Sequence, residues 1–98
     1  MDELIRQAIA GRRVVAFRYR GQRRVGEPHL FGRTNGRAHL LVYQTGGTSF
    51  SGPYPSWRRC DLTQISHFVV TSRTFQATRL SASYEYGGWD EIWAIARE

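Results

Sequence analysis

Four arginines fall within seven residues, Arg18, Arg20, Arg23 and Arg24, and two more, Arg58 and Arg59, follow directly on Trp57. A guanidinium is planar, always charged, and offers a fork of donors that matches phosphate or carboxylate while its face stacks on rings. An aromatic beside adjacent arginines can stack a base and clamp its phosphate, as single-strand binders do. The competing reading places Trp57 in a core with one arginine solvated, since neighbouring residues of a strand face opposite ways. Arg18 and Arg20, two apart, share a strand face, which is either part of a positive groove or a solvated face that discourages edge pairing. Tyr19 between them faces the other way, toward a core or toward a ligand if the groove lies on that side.

The wider composition agrees with a charged binding surface. All fourteen basic residues are arginine, against eight acids, a net charge of +6 on 98 residues. Codon drift in a GC-rich coding sequence accounts for the missing lysine but cannot create the surplus of cation. Excess positive charge favours phosphate-bearing partners through the field and through counterion release. Catalytic patterns are sparse. His29, His39 and His67 have no metal-ligand spacing, and the lone Cys60 can form neither a zinc site nor a disulfide within the chain. The glycine-containing stretches GRTNG and TGGTSFSG lack the Lys-Ser/Thr of a phosphate-cradling loop. A nuclease built on His39 as base with an arginine on the phosphate is the one catalytic option left. The expectation is a binding protein with no cofactor, no metal and no enzymatic activity.

One domain is expected across residues 1–98. Nothing in the chain is apolar for long enough to span a bilayer, and the start MDELIRQAIAG has no apolar signal core, so a cytoplasmic location is expected. Asp2 caps a short helix with the stripe Leu4, Ile5, Ala8 and Ile9, which Gly11 stops. Alternation then marks strands over 14–20, 24–31, 37–43, 57–60 and 65–71, with turns at Gly21-Gln22, Asn35-Gly36 and 61–64. Gly26 and Pro28 mark a bend or an edge of the second strand. In the third, Ala38, Leu40 and Val42 share one face. A Gly/Ser/Pro-rich loop over 44–56 carries Phe50 and Tyr54, which are either stacking fingers or cover for a core edge. Residues 72–88 are polar and irregular, anchored by Phe75, Leu80, Tyr84 and Tyr86. Trp89, Ile92, Trp93 and Ala96 have helical spacing and favour a short terminal helix, although the alternation Ile92/Ala94/Ala96 fits a sixth strand. Five short, closely spaced strands behind one helix predict a small, strongly bent barrel.

The helix LIRQAIAGRR, a strand ending in Tyr19, Arg24 four residues before Pro28, a strand led by Gly36, and WRRCDLTQI followed by Phe68 together resemble the WYL-domain family. The resemblance covers residues 3–75 and leaves 76–98 as an extension. Where the family has Trp-Tyr-Leu after the turn glycine, this chain has Ala38-His39-Leu40. The later signature falls on Arg58, Cys60 and Ile65, with cysteine in place of the aromatic. The resemblance implies an Sm-like or SH3-like five-stranded barrel behind an N-terminal helix. It also implies a ligand-sensing module for nucleic acid or nucleotide-like anions, here without the helix-turn-helix that transcription-regulating members carry. By position it implicates Tyr19, Arg24, His39 and Arg58, and a histidine on phosphate would make binding pH-dependent near neutrality. With Arg18, Arg20, Trp57 and Arg59, these form the candidate groove for single-stranded DNA, RNA or a nucleotide. The alternative is a homodimer or protein-interaction module that pairs by strand edges or docks through the C-terminal WDEIWAIA.

Overall fold

The computed structural model describes residues 1–48, 53, 55–76, 79 and 87–97. Helix α1 (Asp2–Ala10) is followed by strands β1 (Arg13–Tyr19), β2 (Gln22–Thr34), β3 (Arg37–Gly47) and β4 (Ser56–Asp61). A single 3-10 turn (Leu62–Gln64), β5 (Ile65–Thr74) and β6 (Glu91–Ile95) complete the order. Ile5, Ala8 and Ile9 of α1 are buried, each isoleucine worth about 2 kcal/mol of transfer free energy. That burial, rather than the propensity of nine residues, holds so short a helix. Two details differ from expectation. Asp2 is the first helical residue and pairs with Arg6 at 2.7 Å instead of capping, and Leu4 remains exposed.

All six strands join one antiparallel sheet in the order β4-β3-β2-β1-β5, with β6 on β2. The expected five-stranded barrel is therefore, among the described residues, an open six-stranded sheet. Its two ends are nevertheless neighbours in sequence. Laid flat, β4 and β5 would lie about 19 Å apart, yet a three-residue 3-10 turn spanning about 6 Å joins them. The sheet must curl. Within its concave side sit Ile5, Ala8, Ile9, Val15, Phe17, Phe31, Leu40, Val42, Cys60, Ile65 and Ala96, which form an apolar core.

β2 makes the curl possible. Its 13 residues pair β3 along their length, pair β1 as far as Gly26, and pair β6 from Leu30 onward. Pro28, with no N–H to offer, sits where one partner has left and the next has not arrived. A Cβ at Gly26 would lie 2.4 Å from Val42 Cγ1 and 2.6 Å from the Tyr43 carbonyl oxygen, so only glycine lets β3 approach. Contrary to the expectation of a bend or an edge, both residues lie in the ladder of a long central strand, Gly26 opposite Val15 and Gln44, and Pro28 opposite Val42, with register irregularities on either side.

The Asn35-Gly36 turn has both central residues at positive φ, 51° and 78°, as a type I′ hairpin requires. The preceding turn is Arg20-Gly21 (φ 52° and 82°), one residue earlier than expected, with Tyr19 opposite Gln22. The C-terminal segment corrects the preference for a helix: Glu91–Ile95 is a strand. The edge of β2 left free beyond Gly26 supplies ladder partners that outweigh the helical spacing, and Trp93 packs its edge on Phe31 at 5.0 Å. Phe50, Tyr54, Leu80, Tyr84 and Tyr86 lie outside the described residues. Among the described residues, no helix is long and apolar enough to cross a membrane.

Candidate anion-binding site

Directly opposed residues of an antiparallel pair share a face, and this rule sorts the candidates. On the inner face, Tyr19 lies opposite Gln22 and Phe17 opposite Arg24, while Leu40 lies opposite Cys60 and Val42 opposite Arg58. Because Phe17, Leu40 and Val42 are core residues, Tyr19, Arg24 and Arg58 line one end of the same concave surface. The outer face carries His39 opposite Asp61, Leu41 opposite Arg59, and Tyr43 opposite Trp57. Arg18, opposite Arg23, is outward and exposed. Arg20 does not share the Arg18 face, because its left-handed turn conformation swings the guanidinium to 5.6 Å from the centre of the Tyr19 ring.

Arg24 is the anomaly of the inner face. It is only 6% exposed, and none of the ion pairs among the described residues includes it. Its Nη1 points at the Cys60 sulfur at 4.0 Å, its guanidinium carbon lies 4.8 Å from the Tyr19 ring centre, and its Nε has no acceptor. A cation–π contact is worth about 2 kcal/mol when desolvated, whereas burying an unpaired cation costs several kcal/mol. The deficit is one that an anion would offset. Two further unpaired polar atoms, Gln22 Oε1 and Ser56 Oγ, are buried on the same inner face.

The residues around Arg24 are held in place. The Tyr19 hydroxyl accepts from the Asp61 backbone N–H at 3.1 Å, fixing the ring under the guanidinium. Asp61 in turn accepts from the Thr63 backbone N–H (2.9 Å) and hydroxyl (2.8 Å) and from Arg37 (3.1 Å). These donors, Thr63 foremost, hold its carboxyl at a pKa of about 2. Arg58 donates through Nε to Gln44 Oε1 (3.1 Å) and through Nη2 to the Pro53 carbonyl (3.2 Å). Gln44 is fully buried and donates onward to the Gly46 carbonyl. Burial pushes the Cys60 thiol up to about 11 against the opposing pull of Arg24 and Arg58, so it is a neutral neighbour rather than a counter-anion.

Gln44, Gln22 and Ser56 join this surface without a motif that marks them in the sequence. Gln44 was within reach, because it is the next inward position after Ala38, Leu40 and Val42. A polar residue continuing an apolar alternation is a signal in its own right.

The outer-face candidates have other surroundings. Trp57 is half-buried, with its ring edge-on to His29 (4.9 Å) and Tyr43 (5.2 Å). Arg59 lies over Trp89 at 4.6 Å and donates to the Gly87 carbonyl. The Nδ1 of His39 lies 3.0 Å from the carbonyl of Arg37. Among the described residues no three His, Cys, Asp or Glu side chains come together as a metal site. No family model, no curated protein and no solved structure matches the chain.

Proposed function

We propose that this domain is a non-catalytic binding module for a phosphate-bearing ligand, a single-stranded nucleic acid or a nucleotide-like anion, taken up at the inner-face end of the curled sheet. One observation carries the reading: among the described residues Arg24 is buried without a counter-charge and with an unpaired Nε. In this reading Arg24 binds one phosphate, Arg58 and Arg20 flank it, and Tyr19 presents a ring to a base. The resemblance to WYL domains supports the same positions, Tyr19, Arg24 and Arg58. The curl imposed by the link between β4 and β5 supports an Sm-like or SH3-like architecture. His39 stands apart, since it faces outward while Arg24 faces inward. That separation speaks against His39 and Arg24 acting on one phosphate.

The test is fluorescence anisotropy of short single-stranded DNA, RNA and labelled nucleotides at two salt concentrations, on the wild type and on Arg24→Met. The expected result is salt-sensitive binding that Arg24→Met weakens by roughly ten- to a hundredfold, the loss of a charge-assisted contact of about 1.5–3 kcal/mol. Absence of binding at low salt, or equal binding by the variant, refutes the proposal.

A second reading, pairing between copies, is favoured by one observation. Among the described residues the outer edge of β5 is unpaired, and Val69 on that strand is exposed. The C-terminal segment suits this role less well, because residues 91–95 are already engaged by β2. Light scattering across a concentration series separates the readings, a stable dimer without nucleic-acid binding favouring the second.

A further inference from the structure

On the opposite face of the sheet, the start of β1, the middle of β2, the end of β3 and the end of β5 enclose an open cavity of about 480 Å³. That volume lies in the range that holds small organic ligands. Val14 and Phe75 give it an apolar side, while Thr45, Thr74 and Gln76 contribute hydroxyls and an amide.

One wall is unusually well fixed. The buried Glu27 carboxylate receives the Arg79 guanidinium through Nε at 2.8 Å and Nη2 at 3.5 Å. The same guanidinium lies 4.5 Å from the Tyr43 ring centre. The Arg79 backbone N–H donates to His29 Nε2 at 3.1 Å, and the opposite ring nitrogen of His29 donates to the Glu27 carbonyl at 2.9 Å. His29 itself is fully buried, with its ring 5.1 Å from that of Phe75. This wall is therefore both rigid and close to neutral.

Among the described lining residues the remaining charge belongs to Arg73. It lines the cavity from the end of β5, and among the described residues no carboxylate pairs with it. A ligand cation would find Glu27 already taken, whereas a ligand anion would find one uncommitted guanidinium with hydroxyl donors beside it.

We propose that this cavity is a second binding site, independent of the Arg24 surface, for a small molecule that joins one anionic group to an apolar or aromatic body. The anionic group sits on Arg73 with the Thr45 and Thr74 hydroxyls, and the body lies against Val14 and Phe75. Phosphate and carboxylate share this chemistry, and the probes distinguish them.

Isothermal titration of the protein with phenyl phosphate, benzoate, inorganic phosphate and phenol tests the site. With the inner face silenced by Arg24→Met, one-site binding of phenyl phosphate or benzoate is expected, tighter than that of inorganic phosphate or phenol, and the tighter of the two identifies the preferred charged group. Arg73→Ala, an exposed position, should weaken that binding about tenfold or more when added to the Arg24→Met background. The proposal is overturned if neither phenyl phosphate nor benzoate binds saturably, or if inorganic phosphate binds as tightly as both. It is equally overturned if adding Arg73→Ala leaves that binding unchanged, or if Arg24→Met alone abolishes binding, an outcome that would assign the probe to the inner face and leave the first proposal standing.

Discussion

Arg24 and Arg58 lie on the same face, yet they differ in what surrounds them. Arg58 is held by Gln44 and the Pro53 carbonyl, whereas Arg24 has a ring, a thiol and no acceptor for its Nε. An unpaired buried cation lowers stability, so Arg24→Met should melt no lower than the wild type while losing ligand. A thermal scan checks this, and a fall of several degrees would mean that Arg24 is a structural post. Asp61 makes a different claim. Its carboxylate is stabilised in the folded chain, down to about 2 from an ordinary 3.8. Its contribution is therefore complete above pH 4 and is lost as pH falls toward 2. Denaturation between pH 5 and 2 should show an acid-side loss that Asp61→Asn removes, and parallel profiles would contradict the assignment.

Strand β2 is where local sequence and long-range partners meet. Gly26→Ala forces a Cβ into Val42 and the Tyr43 carbonyl and should cost about 1–3 kcal/mol, read as a lower denaturant midpoint. At the irregularity after Pro28, His29 is buried neutral, its ring nitrogens satisfied by Glu27 and Arg79. Burial, opposed by the Glu27 carbonyl, lowers its pKa below 6.5. The unfolded chain thus takes up a proton that the folded chain refuses, so stability is full above about pH 6.5 and falls below it, by up to about 1.4 kcal/mol per pH unit. His29→Phe should flatten that slope relative to the wild type, and identical slopes would show that His29 is not the group responsible. The hairpin at Asn35-Gly36, the strand alternation and the stripe in α1 were legible because each depends on neighbours in sequence. Strand β6 was legible only as the alternative to a helix, because the edge that recruits it belongs to residues more than fifty positions away.

The whole molecule is a sheet with two chemically different faces. The inner face ends in Tyr19, Arg24 and Arg58, and the outer face gathers His29, Trp57, Tyr43, Glu27 and Arg79. The arginine clusters were visible in the sequence, and the strand register puts Tyr19, Arg24 and Arg58 on one face and His39 on the other. Which arginine is buried outside every ion pair among the described residues was not visible in the sequence, since that depends on where the acids are spent. Glu27 goes to Arg79, Glu91 to Arg33, Asp2 to Arg6 and Asp61 to Arg37, leaving Arg24 with none of these four. Charge count alone predicts a generally sticky surface. The folded arrangement predicts one guanidinium that changes its surroundings when ligand arrives. Arginine Nε–Hε correlations, recorded by nuclear magnetic resonance during titration with a short single-stranded oligonucleotide, observe that group directly. The Arg24 signal should move furthest and saturate with the bound fraction. If the exposed Arg18 and Arg23 signals shift while Arg24 stays still, binding is diffuse and the inner-face site is wrong.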